Sequence, residues 1–401
     1  MTITPRSIPV SRCLGRPAGL LCLAAACTTL LLTACGGSDE AERTVGSIKL
    51  IGQQVLPRRT VFQGTTVGGL SGIDFDAATN RYTLISDDRT TADSDGAPRF
   101  YTATLAFDAN AFTGVQFVST TPLRQPDGSL LPKVPDPRVA DPESIRIDPV
   151  NGNLVWASEG DRTLTAAPAR VIDPFVREIT PDGRFVRDYA LPAMFRMSAA
   201  DTGPRGNLVF EGLAFTPDRK HLVVAAEGAL FADGPVPSVA AGSVSRFTFF
   251  DRATGNAASQ FAYPIDKVQA APVPASAFTV NGPTEILAVT NTRFLVLERS
   301  FSVGVEGNQV RLYEIDTAGA TDVLGLTALA GASYKPVSKR LVLDFDTLKA
   351  RLGGIANLEG LTFGPRLANG HESLVVVADD NFPAADSTTD RNQILVFEVL
   401  P

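Results

Sequence analysis

Residues 210–217 read FEGLAFTP and residues 221–228 read HLVVAAEG. Two short apolar runs are joined by a Pro-Asp turn, with a glutamate near the start of the first and another at the end of the second. The phrase returns as GLSGIDFD…RYTLISDD from Gly69, PESIRIDP…LVWASEGD from Pro142, PTEILAVT…FLVLERS from Pro283 and LEGLTFGP…LVVVADD from Leu358. The copies start roughly 70 residues apart, a period that marks a radial array of β units, none of which can bury its own apolar faces alone. The carboxylates recur with the phrase. Glu143, Glu211, Glu285 and Glu359 align in the first run, where the first copy has Ser71. Asp87, Glu159, Glu227, Glu298 and Asp379 align at the end of the second. Rotation carries equivalent residues to equal radii, so these acids are expected to converge on one axis.

The expected fold class is all-β, a β-propeller of four-stranded blades. β-branched and aromatic residues fill the runs, and turn formers such as Asp148-Pro-Val-Asn-Gly and Thr216-Pro-Asp bound them. Five blades fit the length. A sixth, degenerate blade hidden in the long connections, especially Asp316–Asp346, is the alternative. The last unit offers three strands, ending in Gln393–Val399, and the run Ser47–Val55 has no partner of its own. Pairing the two would close the ring and remove two exposed edges. Helix is scarce, with Phe345–Leu352 the best short candidate.

The first 34 residues read as a secretory signal. Arg6, Arg12 and Arg16 precede an apolar stretch from about Ala18 to Ala34. The stretch ends Leu32-Thr33-Ala34-Cys35, which resembles a bacterial lipobox with Cys35 as the lipidated residue. Residues 35–45 then serve as a tether and 46–401 as a single propeller domain. Gly36 after the cysteine favours the outer membrane, with the body facing the periplasm or the cell surface. All four cysteines (Cys13, Cys22, Cys27 and Cys35) lie in or at the signal, so the processed chain has no disulfide and no thiolate nucleophile. Only His221 and His371 are present, both in polar turns, which argues against a histidine zinc site or a Ser-His-Asp triad. The processed chain carries 33 basic and 43 acidic residues, a balance unsuited to nucleic acid. A monomer touching the membrane only through its lipid is expected.

The phrases Asp141-Pro-Glu-Ser-Ile145, Phe210-Glu-Gly-Leu-Ala214, Asn357-Leu-Glu-Gly-Leu361 and Ala378-Asp-Asp-Asn381 resemble the bacterial phytase-like family, described as "esterase-like activity of phytase". The resemblance spans about Gly46 to Val399. It implies a propeller and a phosphoesterase or other esterase activity on a small-molecule phosphate ester or other ester. Crowded carboxylates need protons, arginines or a hard cation, and calcium accepts six to eight oxygens in loose geometry. The metal-site expectation is therefore calcium among Glu143, Glu211, Glu285, Glu359, Asp87, Asp88, Glu159, Glu227, Asp379 and Asp380. Arg89, Arg162, Arg299 and Arg391 are the candidates to hold phosphate. The residues leave catalysis itself open. The same acids would serve as structural caps in a non-catalytic propeller lipoprotein that binds a ligand or a protein, and a lactonase-type hydrolase is a third class.

The lipobox yields a direct test. Cys35→Ala should leave unprocessed precursor and abolish incorporation of labelled palmitate. Normal labelling in that variant would exclude acylation at Cys35.

Overall fold

A computed structural model describes residues 43–89, 96–134, 136, 138–167 and 169–401. Residues 1–34 and Cys35 lie outside the described residues. Each of the five phrases forms the first two strands of a four-stranded antiparallel sheet, and the sheets make a five-bladed propeller. The first blade is Leu70–Asp76, Arg81–Ser86, Arg99–Phe107 and Phe112–Pro122. The second is Pro142–Ile147, Leu154–Ser158, Phe175–Ile179 and Phe185–Asp188, and the third is Phe210–Phe215, His221–Ala226, Ser243–Asp251 and Ala257–Ile265. The fourth is Thr279–Ala288, Arg293–Ser302, Gln309–Asp316 and Ser338–Asp344. The long connection that might have hidden a sixth blade thus supplies the outer strand of the fourth. The helix candidate is one 3-10 turn, Phe345–Leu348, followed by one α turn, Lys349–Leu352.

The fifth blade joins the two ends of the chain. Asn357–Phe363, Ser373–Asp379 and Gln393–Leu400 are completed by Ser47–Val55, which pairs antiparallel from Ser47 opposite Leu400 to Val55 opposite Gln393. The expected closure is borne out. It covers the edge that Gln393–Leu400 would otherwise expose.

The second strands read as unbroken apolar runs because both of their faces are buried. In the fifth blade Leu374, Val376 and Ala378 pack toward the fourth blade, while Val375 and Val377 pack toward the first. Five apolar layers form in this way, one between each pair of neighbouring blades. Among them the layer between the first and second blades holds Ile85, Phe100, Ile145 and the single tryptophan, Trp156.

The first strand of every blade is an edge strand facing the axis, so its inward carbonyls lack a ladder partner. One side chain serves five of them. Arg146 donates from Nε to Leu213 O at 2.6 Å, from Nη2 to Ile286 O and Leu361 O at 3.0 Å each, and from Nη1 to Ile145 O at 3.3 Å and to Ile73 O. These carbonyls occupy the same register position in the five blades, each one step past the irregularity at the start of its strand. Hydrogen bonds to a charged donor contribute about 1.5–3 kcal/mol each, so the guanidinium is a substantial tie across the axis.

Closure by the N-terminal strand predicts a large effect of its removal. Val45, Ile48 and Leu50 belong to the layer between the fourth and fifth blades, and Ile51 to the layer between the fifth and first. At roughly 1.5–3 kcal/mol per fully buried aliphatic side chain, deletion through Leu56 should cost several kcal/mol and expose a sheet edge. A truncated protein that melts at the parent temperature would show that the strand does not close the ring in solution.

Candidate metal centre

The acids are placed by a bulge repeated in all five blades. Pairing of first and second strands is regular except at one step, between Leu70 and Gly72, Pro142 and Ile145, Phe210 and Gly212, Pro283 and Glu285, and Leu358 and Gly360. A bulge re-aims the extra residue and ends regular pairing beside it. The residues so placed are Ser71, Glu143, Glu211, Thr284 and Glu359. The partner of the residue before the bulge is Ser86, Ser158, Ala226, Glu298 or Ala378, and the next residue along is Asp87, Glu159, Glu227, Arg299 or Asp379. Two rings result at one end of the axis.

The fourth blade corrects the sequence alignment by one residue. Because Pro283 pairs with Glu298, the ring positions in that blade belong to Thr284 and Arg299. Glu285 lies one step further down the channel, at the position of Gly72, Gly212 and Gly360. A Cβ there crowds the neighbouring strand, as at Gly72, where it would sit 2.9 Å from Ile145 N. Glu285 accepts from Arg146 Nη2 at 2.8 Å and from the backbone N–H groups of Leu213 and Ile286 at 3.0 Å each. Burial pushes its carboxyl up to about 8, against the pull of Arg146 and the two backbone donors. With Arg146 it forms an ion pair on the axis. Glu298 leaves the axis altogether. It accepts from Tyr263 Oη at 2.6 Å, Lys339 Nζ at 2.7 Å and Asn281 Nδ2 at 2.9 Å, in a knot between the third and fourth blades.

The remaining acids meet in a bowl above the Arg146–Glu285 pair. Oxygens of Asp141, Glu143 and Glu159 lie within 4.8 Å of one another, as do oxygens of Glu159, Glu211 and Glu227. All five side chains are buried. Sequence reasoning missed Asp141, although it directly precedes Pro142-Glu143 in the repeat phrase. Glu359 and Asp379 share the Nδ2 of Asn357, at 2.8 and 3.2 Å. Glu159 accepts from Val209 N at 2.5 Å. Glu143 is only 8% exposed, yet among the described residues no hydrogen bond or ion pair reaches its carboxylate. The buried Oδ1 of Asp87 likewise has no partner.

Two candidate ligands lie outside these groups. Asp88 pairs with Arg99 at 2.9 Å, and Asp380 caps a turn by accepting from Gly69 N at 3.0 Å and Asn392 Nδ2 at 2.8 Å. The arginines divide as well. Arg89 reaches Asp141 at 3.1 Å and Asp161 at 3.4 Å, and Arg299 reaches Glu227 at 3.5 Å and Glu359 at 3.6 Å. Arg162 turns away to Asp201 and Ser198 O, both at 2.8 Å, and Arg391 donates to Gly354 O at 2.9 Å and Leu352 O at 3.1 Å.

Desolvation dominates the electrostatics, and mutual repulsion adds to it. Glu143 is raised well above the usual carboxylate range by burial, then by Glu211, Asp141, Glu159 and Asp87. Glu159, Glu211, Asp87 and Asp379 are raised in the same way. Asp141 and Glu227 are each pushed up to about 7 by burial, with Arg89 and Arg299 pulling the other way. The oxygen-only donor set and the unpartnered Glu143 fit a hard divalent cation, which needs several oxygens and would relieve this repulsion.

Fold and site together define a five-bladed propeller with an arginine–glutamate pair on its axis and a cluster of buried carboxylates toward one end. The chain belongs to the phytase-like family, described as "Esterase-like activity of phytase", whose model matches residues 65–382. No curated protein matches the chain. Among solved structures it is similar to the PQQ-bound aldose sugar dehydrogenase of Streptomyces coelicolor, at 12% identity over 87% of this chain and 98% of that one, with a TM-score of 0.36. The periplasmic gluconolactonase of Pseudomonas aeruginosa is similar at 14% identity over 84% and 90%, with a TM-score of 0.36. An endo-1,4-beta-xylanase of Bacteroides thetaiotaomicron is similar at 13% identity over 82% and 91%, with a TM-score of 0.43.

The raised carboxyls fix the sign of a pH effect. Asp141 and Glu227 keep their protons to higher pH in the folded chain than in the unfolded one. Stability is therefore fully present below the ordinary carboxylate range and is lost as pH rises toward about 7, by about 1.4 kcal/mol per pH unit for each proton held. The metal-free protein should melt at a higher temperature at pH near 5 than at pH near 8, and millimolar calcium should narrow the gap. Equal melting temperatures in chelator across that window would mean that the acids do not repel one another as their geometry implies.

Proposed function

We propose that this chain is a calcium-dependent ester hydrolase that acts on a phosphate monoester at the acidic bowl. The observation that carries the reading is Glu143, a buried and unpartnered carboxylate whose oxygen lies beside those of Asp141 and Glu159. Asp141, Glu143 and Glu159 would hold the cation, with Glu211 of the third blade beside Glu159. When bound, calcium polarises an ester's oxygen and lowers the pKa of an adjacent water. Arg89 and Arg299 border the acids and would take the other oxygens of an anionic ester. Family membership supports the hydrolase class. The signal-like segment and Cys35 support a lipoprotein of the outer membrane, facing the periplasm or the cell surface, and the acidic balance disfavours nucleic acid as a partner.

Purified protein tested against phosphate, carboxylic and lactone esters, with calcium and with chelator, discriminates the readings. Phosphate release should require calcium and fall by about 100-fold or more in Glu143→Gln. Calcium-dependent stabilisation without turnover of any ester would replace this reading with a non-catalytic binding propeller. Turnover of a lactone or carboxylic ester alone would keep the hydrolase and change its substrate.

A further inference from the structure

The reading above puts a divalent cation in the bowl, and the inference here rests on it and concerns how many the bowl takes. Four blades carry a carboxylate at the ring position of the second strand, namely Asp87, Glu159, Glu227 and Asp379, and the fourth blade carries Arg299 there. We propose that Arg299 is a resident cation that fills one cation position of the bowl, so that a divalent ion is confined to the Asp141, Glu143 and Glu159 side.

Three observations carry this. Arg299 spans Oε1 of Glu227 at 3.5 Å and Oε1 of Glu359 at 3.6 Å, so one guanidinium neutralises two blades' acids. No other arginine or lysine forms an ion pair with Glu227 or Glu359 among the described residues. On the far side Arg89 reaches Asp141 at 3.1 Å, but among the described residues no ion pair reaches Glu143 or Glu159. The contacts of Arg299 are long for charge-assisted hydrogen bonds, and its Nε is buried without an acceptor. It therefore supplies charge without saturating its donors. Its side chain is 16% exposed. Its charge is secure. Burial works against it, but Glu359, Glu227, Glu211 and Asp379 together raise its pKa above the ordinary arginine value. A permanent +1 charge at this position does for two glutamates what a second divalent ion would otherwise do. It also leaves an arginine facing any anion held by the ion opposite.

Calorimetric calcium titration of the protein and of Arg299→Gln and Arg299→Lys tests the proposal. The Gln variant should bind one more calcium per chain than the parent, because Glu227 and Glu359 lose their shared counter-charge. The Lys variant should match the parent. Equal stoichiometry in the parent and the Gln variant overturns the inference. A parent that binds no calcium sinks the hydrolase reading instead, and the inference then stands only if the Gln variant gains a site. Circular dichroism reports whether the Gln variant folds. If it does not, terbium titration of two other variants decides. Glu143→Gln should weaken binding by about tenfold or more, and Glu359→Gln should leave it within about twofold. Equal losses in those two variants would place the ion on the Arg299 side and overturn the proposal.

Discussion

The guanidinium of Arg146 is the interaction on which the arrangement of the blades around the axis depends. A propeller leaves the inner edge of every first strand without a ladder partner, and five such edges face a channel too narrow to pack with side chains from all of them. Small residues at Gly72, Gly212 and Gly360 let the strands approach. A single arginine from the second blade then donates to the backbone of all five blades. Glu285, from the fourth blade, balances its charge. The symmetric part of the fold is therefore centred on an asymmetric pair, and the pair fits only because the other copies are small at that level.

Above this pair the balance of forces reverses. The pair satisfies its polar groups, whereas the bowl collects carboxylates that burial and repulsion push toward protonation. The five apolar layers between blades must hold those acids together against their own charge. A stable scaffold that supports a locally unfavourable cluster is the usual arrangement at functional sites, where groups are positioned for something other than stability.

Much of this was legible in the sequence because the signal was repeated. Five copies of a two-strand phrase, a three-stranded last unit and an unpartnered N-terminal run led to the ring and its closure. Seven of the nine aligned acids lie in the two rings at the bowl. The two that do not, Glu285 and Glu298, belong to one blade, where the backbone keeps the common register but PTEIL carries its glutamate third rather than second and Glu298 stands one residue before the ring position. Aligning Pro283 with Pro142 sets Thr284 opposite Glu143 and would have revealed the offset. Asp141 was adjacent to a recognised glutamate and could have been found by that adjacency. Arg146 gave no such sign, since its role lies in carbonyls that belong to every residue type alike.

The antiparallel pairing of Ser47–Val55 with Gln393–Leu400 also fixes an orientation. Val55 lies at the same end of its blade as Gln393 and the acids after Ala378, whereas Ser47 lies beside Leu400 at the other end. At about 3.3 Å per residue the strand spans roughly 25 Å from one end of its blade to the other. The chain thus enters the propeller on the face away from the bowl. A tag fused after Pro401 would leave from that same back face, clear of the acids.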